Sequence, residues 1–242
     1  MDRLGAGTIL LAVVAAGLLA GLAVGLFHYV ATEPVIEQAI VIEEAAHPEA
    51  ADEPPVVTRD VQRTGGVVGW VLIGACWALA FGAVYTLVRP RFGGAGTVAN
   101  AVLAALAAYW LVVLFPFLKY PANPPGVGEP DTLAFREVCL VLFWVLSVGG
   151  VLAAAWLDRL VVARRLSGAR RWLVVGGAYA LYAVVLFVAM PANSDPVEMP
   201  ARLVATFRAL SLVGLTLFWL LLGLAFGLFA RGLQRHASPS PR

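Results

Sequence analysis

Apolar positions along this chain come in long runs, and the polar ones crowd into the gaps between them. Runs long enough for a helix to cross a hydrocarbon core, about 20 residues, fall at approximately 5–29, 65–88, 97–118, 134–157, 172–190 and 203–230. None carries an acidic residue in its middle. The pattern predicts an all-α, polytopic membrane helix bundle with six transmembrane helices arranged as three outward-opening hairpins. It reads as a single transmembrane domain over 1–242, with an acidic extracytoplasmic loop at 31–64 and a cytoplasmic tail at 231–242. The first run is preceded by Arg3, as a secretory signal would be. It stays apolar well past the 7–15 residues of a signal h-region, which predicts a retained helix.

Composition agrees: 61% of the residues are hydrophobic and 13% charged, against about 25% charged in a soluble domain. The net charge of +2 hides an uneven layout. With the N-terminus inside, eleven of the 17 basic residues fall on the inner side, and Arg159, Arg164, Arg165, Arg170 and Arg171 crowd into the 158–171 connection. The excess of positive charge on inner loops predicts that both termini are cytoplasmic. Thirteen of the 15 acidic residues fall outside, with only Asp2 and Asp158 opposite. Five arginines at a membrane surface read as a topology signal, and nucleic-acid binding is a poor explanation for them. Cys76 and Cys139 both lie inside predicted helices, so no disulfide framework is implied.

The loop at 31–64 carries eight acidic residues. Its front half, from Pro34 to about Ala46, has Ile36, Ala39, Ile40 and Val41 spaced for a helix, and its Pro- and Glu-rich back half reads as a linker. Small residues recur at four-residue spacing: Gly17, Gly21 and Gly25; Gly74, Ala78 and Gly82; Gly223 and Gly227. Such stripes let helices approach closely in lipid. Trp70, Tyr120, Trp156 and Trp172 stand near predicted helix ends and suit interfacial anchoring.

One repeat stands out. Pro121-Ala122-Asn123 and Pro191-Ala192-Asn193 are 70 residues apart, as are Pro130 and Pro200. Phe135-Arg136 and Phe207-Arg208 follow, then Phe143-Trp144 and Phe218-Trp219. The pattern reads as a diverged parallel duplication, of a kind common in transporters, whose substrate sites lie near the repeat interface. Prolines stiffen both loops and suit an abrupt helix start, so the loops read as stiff lids over the outer end. Cations near a helix start oppose the helix dipole, so Arg136, Arg202 and Arg208 should seek carboxylates or snorkel to headgroups.

The chain has no Ser-His-acid set, no Cys-x-x-Cys, no Gly-rich phosphate loop and no ATP-binding motif, so enzymatic chemistry is the weakest expectation. The polar candidates gather on the outer side. His28, Glu33, Glu37, Glu43, Glu44 and His47 offer the imidazole and carboxylate ligands that a divalent first-row metal accepts. Asn123, Asp131, Glu137, Asp195 and Glu198 do the same at the repeated loops. The bland alternatives are a solvated acidic loop and structural pairing with the arginines.

The ordered set of segments resembles the CbtA family of predicted cobalt transporter subunits. It comprises a Gly/Ala-rich first helix, "PVIEQAIVIE" at 34–43, "RTGGVVGWVLIG" at 63–74, "KYPANPPGVGEPDTLAFRE" at 119–137 and "FWLLLGLAFGLFARGL" at 218–233. The resemblance implies a multi-pass subunit in a bacterial plasma membrane for cobalt uptake linked to cobalamin synthesis. Co2+ is then the transported ion and no cofactor is bound permanently. It also implies a small partner, CbtB-like, with one membrane helix and a His-rich terminus; membrane lipid and a homo-oligomer are further expected associations of such a span-rich chain. The family pattern has histidines near the outer ends of the third and fifth helices, where this chain reads "YWLVVLFPFLKYP" and "LFVAMPANSDP". Either the partner supplies imidazoles or carboxylates and Asn do more here. The alternative from another class is a non-transporting membrane scaffold that assembles a partner through its small-residue faces.

Overall fold

A membrane-spanning chain must satisfy its backbone hydrogen bonds within itself, and helices do so segment by segment. The computed structural model describes residues 6–46, 57–91 and 96–237, and these hold helices and no strand. In chain order they are α1 (Ala6–Phe27), α2 (Glu33–Ala46), α3 (Arg59–Val88), α4 (Thr97–Tyr109), α5 (Phe115–Lys119), α6 (Leu133–Ala163), α7 (Gly168–Ala189) and α8 (Ala201–Ala237). Wider π-helical turns, His28–Thr32 and Trp110–Leu114, join α1 to α2 and α4 to α5 without a break. Six stretches are long and apolar enough to cross a membrane: Gly7–Ala46, Arg59–Val88, Thr97–Lys119, Pro130–Ala163, Gly168–Ala189 and Ala201–Arg235.

The helices overrun the apolar runs that predict them. The first goes through Pro34 to Ala46, so the connection read as starting at 31 shrinks at both ends, α3 beginning at Arg59. A proline removes an N–H and crowds the carbonyl four residues back. The π turn absorbs both problems, with the Glu33 N–H bonded to His28 O. Phe115-Pro116 follows the other π turn in the same way. The arginine-rich connection contracts to residues 164–167 between α6 and α7. The last helix runs on to Ala237, into the segment read as a tail. There Arg235, in the last turn, suits a helix C-terminus.

The chain divides into two compact units. The first comprises Met1–Tyr109, Asn123–Gly126 and Met199–Arg242. In it α1 packs on α3 and on α8, and α4 packs on α8. The glycine stripes make these contacts. A Cβ on Gly74 would lie 2.6 Å from Gly17 O and 2.9 Å from Gly21 Cα, and one on Gly227 would lie 2.8 Å from Val98 Cα. Between α3 and α8, Phe81, Tyr85 and Phe226 form edge-to-face pairs, the closest with centroids 5.1 Å apart.

The second unit comprises Trp110–Ala122 and Val127–Glu198. In it α6 packs on α7, and α5 with its π turn packs on α6. Its core gathers Phe115, Cys139, Phe143, Leu186 and Met190. The Phe115 and Phe143 rings are 4.8 Å apart, and Tyr182 donates to Leu146 O at 2.8 Å. Pairs such as α4 with α8 and α1 with α8 join spans distant in sequence, which a simple succession of hairpins does not foresee.

Candidate functional site

The acidic residues of α2 meet the first turns of α3. Glu33 accepts a hydrogen bond from Arg59 and faces Arg63 Nε at 3.8 Å, while Glu37 pairs with Arg63 Nη1 at 3.2 Å. Arg63 also lies over the Tyr29 ring, 5.4 Å from its centre. Glu43 packs beside Gly126, whose φ of +73° a residue with a side chain rarely adopts. Glu44 is exposed, and His47 lies outside the described residues.

His28 opens the first π turn. Its Nδ1 and the buried Thr32 Oγ1 lie 2.8 Å apart, and its ring stacks on Trp70 with centroids 5.0 Å apart. The other nitrogen, Nε2, is buried and has no hydrogen-bond partner among the described residues. It points at Gly214 of α8, where a Cβ would sit 2.6 Å from His28 Cε1 and closer still to Nε2. Thr32 was not among the residues expected from sequence. Its spacing of four from His28, the distance at which helical side chains meet, was the available signal.

The repeated loops hold each other's arginines. Arg136, at the start of α6, pairs with Asp195 in the second loop at 3.3 Å, without the alignment of a hydrogen bond. Thr132 donates to the same carboxylate at 2.7 Å and the Glu129 N–H does so at 3.2 Å, leaving the Asp195 side chain 6% exposed. In the first unit, Arg208, two turns into α8, donates to Asn123 in the first loop at 2.7 Å. The arginine of each repeat's Phe-Arg pair thus reaches the other repeat's loop. Tyr120 donates to Pro191 O at 2.7 Å. Burial, and after it the neighbouring Cys139, pushes its phenol above the ordinary range. Asp131, Glu137 and Glu198 are exposed, as is Asn193, whose Oδ1 accepts from the Asp195 N–H.

Of the candidate ligands, the structure therefore engages Glu33, Glu37 and Asp195 with guanidinium groups and Asn123 with Arg208. Among the described residues, no group of three or more His, Cys, Asp or Glu side chains gathers closely enough to hold a metal ion.

Six apolar spans, with helices and no strand among the described residues, define a multi-pass membrane protein. The chain belongs to the CbtA family, described as a probable cobalt transporter subunit, which it matches over residues 6–231. Neither the comparison with curated proteins nor that with solved structures gives a match.

Proposed function

We propose that this chain is the membrane-embedded part of a cobalt importer that feeds cobalamin synthesis, sitting in a bacterial plasma membrane with both termini in the cytoplasm. The family match across nearly the whole length carries this reading. The small-residue packing of α1, α3, α4 and α8 supplies a rigid helical frame of the sort a transporter needs. Because Glu33, Glu37 and Asp195 are neutralised by arginines in this state, metal would be received by exchange. A carboxylate leaves its arginine as the cation arrives, and imidazoles come from a small His-rich, single-helix partner. With no ATP-binding motif in the chain, the energy comes from an ion gradient, the membrane potential or another subunit.

Uptake of radiolabelled cobalt in cells depleted of other importers tests the reading. Expression of the subunit with its partner should raise uptake, and unchanged uptake would sink the proposal. Replacing Glu37 and Glu43 together by Gln should lower uptake at limiting metal while leaving it near normal at saturating metal. An unaltered uptake curve would return α2 to a structural role.

The second reading, a scaffold that assembles a partner without moving ions, draws on the same ion pairs, since carboxylates held by arginine also serve to brace α2 against α3. A subunit that co-purifies with its partner yet adds nothing to uptake would establish it.

A further inference from the structure

The connection between α6 and α7 concentrates charge beyond what topology requires. Arg159, Arg164, Arg165 and Arg170 are all exposed, and among the described residues no carboxylate pairs with them. The neighbouring Asp158 is fully used by Arg171, which grips it through two hydrogen bonds of 2.6 and 2.7 Å. Four guanidinium groups therefore stand uncompensated around a turn of four residues, 164–167.

The backbone of that turn makes the placement more telling. The Leu166 N–H bonds Val161 O at 3.1 Å and the Arg165 N–H bonds Val162 O at 2.9 Å, the paired bonds that close a helix on a left-handed residue. Glycine is the usual residue there, yet the position holds Arg165 at φ +62°, the one non-glycine residue of positive φ among those described. Arg170 lies in the first turn of α7, where the helix dipole repels a cation. Neither arginine is placed for the benefit of its own helix. Apolar surface flanks the charges on both sides: Trp156 is 62% exposed on α6, and Trp172 is 70% exposed on α7. Indole rings of this kind sit at headgroup level, with acyl chains beyond them.

We infer that the α6–α7 turn is a binding site for the headgroup phosphate of an anionic phospholipid, with Arg159, Arg164, Arg165 and Arg170 as its cations and Trp156 and Trp172 flanking it at the boundary with the acyl chains. Charge complementarity selects the anion, and the exposed aromatic and aliphatic flanks select a lipid over a soluble phosphate. Each guanidinium near an anionic surface is worth about a fivefold change in affinity.

The test reconstitutes the full chain in phosphatidylcholine vesicles containing a minor fraction of brominated phosphatidylglycerol, and compares tryptophan quenching with that by brominated phosphatidylcholine at the same fraction. The phosphatidylglycerol should quench the wild-type chain more, and the variant R159Q/R164Q/R165Q/R170Q should lose the excess. R165G guards against a folding artefact. It should raise or preserve the melting temperature, because glycine suits the left-handed turn, while weakening the lipid preference by about fivefold. Equal quenching of the wild-type chain by both lipids would overturn the inference, and so would R165G with an unchanged preference. If inorganic phosphate abolishes the preference where sodium chloride of equal ionic strength does not, the site takes soluble anions and the lipid assignment is wrong.

Discussion

At His28 an imidazole is held by one nitrogen and left bare at the other, with only the missing side chain of Gly214 making room for it. A buried polar atom without a partner costs stability, and an ionisable side chain inside a span is a functional candidate in its own right. Gly214→Ala should force the ring to turn or α8 to retreat, at a cost of about 1–3 kcal/mol as for other overpacked cores. A lower melting temperature in detergent would show it, and an unchanged one would mean that the ring moves freely. Tyr120 offers a second test at this scale. Its phenol titrates above the ordinary 10.0, so the stability it contributes is present below that value and is lost as the pH rises through the raised one. Tyr120→Phe should flatten the alkaline fall of the melting temperature and should also loosen the loop held through Pro191 O.

Among helices, the decisive residues are glycines, and their environments differ sharply. Gly21 meets Trp70 and Val71 across the α1–α3 contact, with a Cβ there 2.9 Å from Val71 Cα, whereas Gly65, Gly66 and Gly69 on α3 face nothing within 4 Å. Gly21→Ala must push backbone from backbone and should lower the melting temperature by several degrees. Gly69→Ala should leave it level or raise it, since alanine is favoured over glycine inside a helix by about 1 kcal/mol. Opposite signs for the two are the expected result of thermal unfolding in the same detergent. The same-spaced stripes at 17–25 and 74–82 were readable in the sequence. That they face one another, while Gly223 and Gly227 face α4, was not, because spacing marks a face and says nothing of its partner. Spacing predicts a helix from Pro34 to about Ala46 within the loop, and that helix is present; its continuity with the first span, through a π turn ending two residues before Pro34, is what spacing does not show.

Across the whole chain, the repeat of 70 residues acquires a physical meaning from the exchange of arginines. Arg136 reaches Asp195, and Arg208 reaches Asn123. The sequence predicts that both arginines seek carboxylates or headgroups; Arg136 finds a carboxylate, whereas Arg208 bonds an amide oxygen. Asp131 and Glu137, adjacent in sequence, lie exposed, while Asp195, 59 positions beyond Arg136, takes the contact. Replacing Asp195 by Ala strips a shielded guanidinium of its counter-charge and should cost about 2 kcal/mol, against about 1 kcal/mol for Asn123→Ala, which removes a neutral acceptor. Denaturant titration of the two variants in mixed micelles checks the order, and equal losses would deny the charge its special role.

Hydropathy alone determined that the chain is helical, that it has six spans and where their cores lie, because a span is a property of about 20 consecutive residues and needs no neighbour to define it. The ordered motifs were likewise sufficient to point to the family that the match over residues 6–231 shows. Tertiary structure decided which carboxylates are bound by arginine, which glycine stripe meets which helix, how far each helix continues past its apolar run and which nitrogen of His28 is left bare. The pairings among them depend on residues tens of positions apart approaching within a few ångströms, and in lipid no hydrophobic force between helices selects one apolar partner over another.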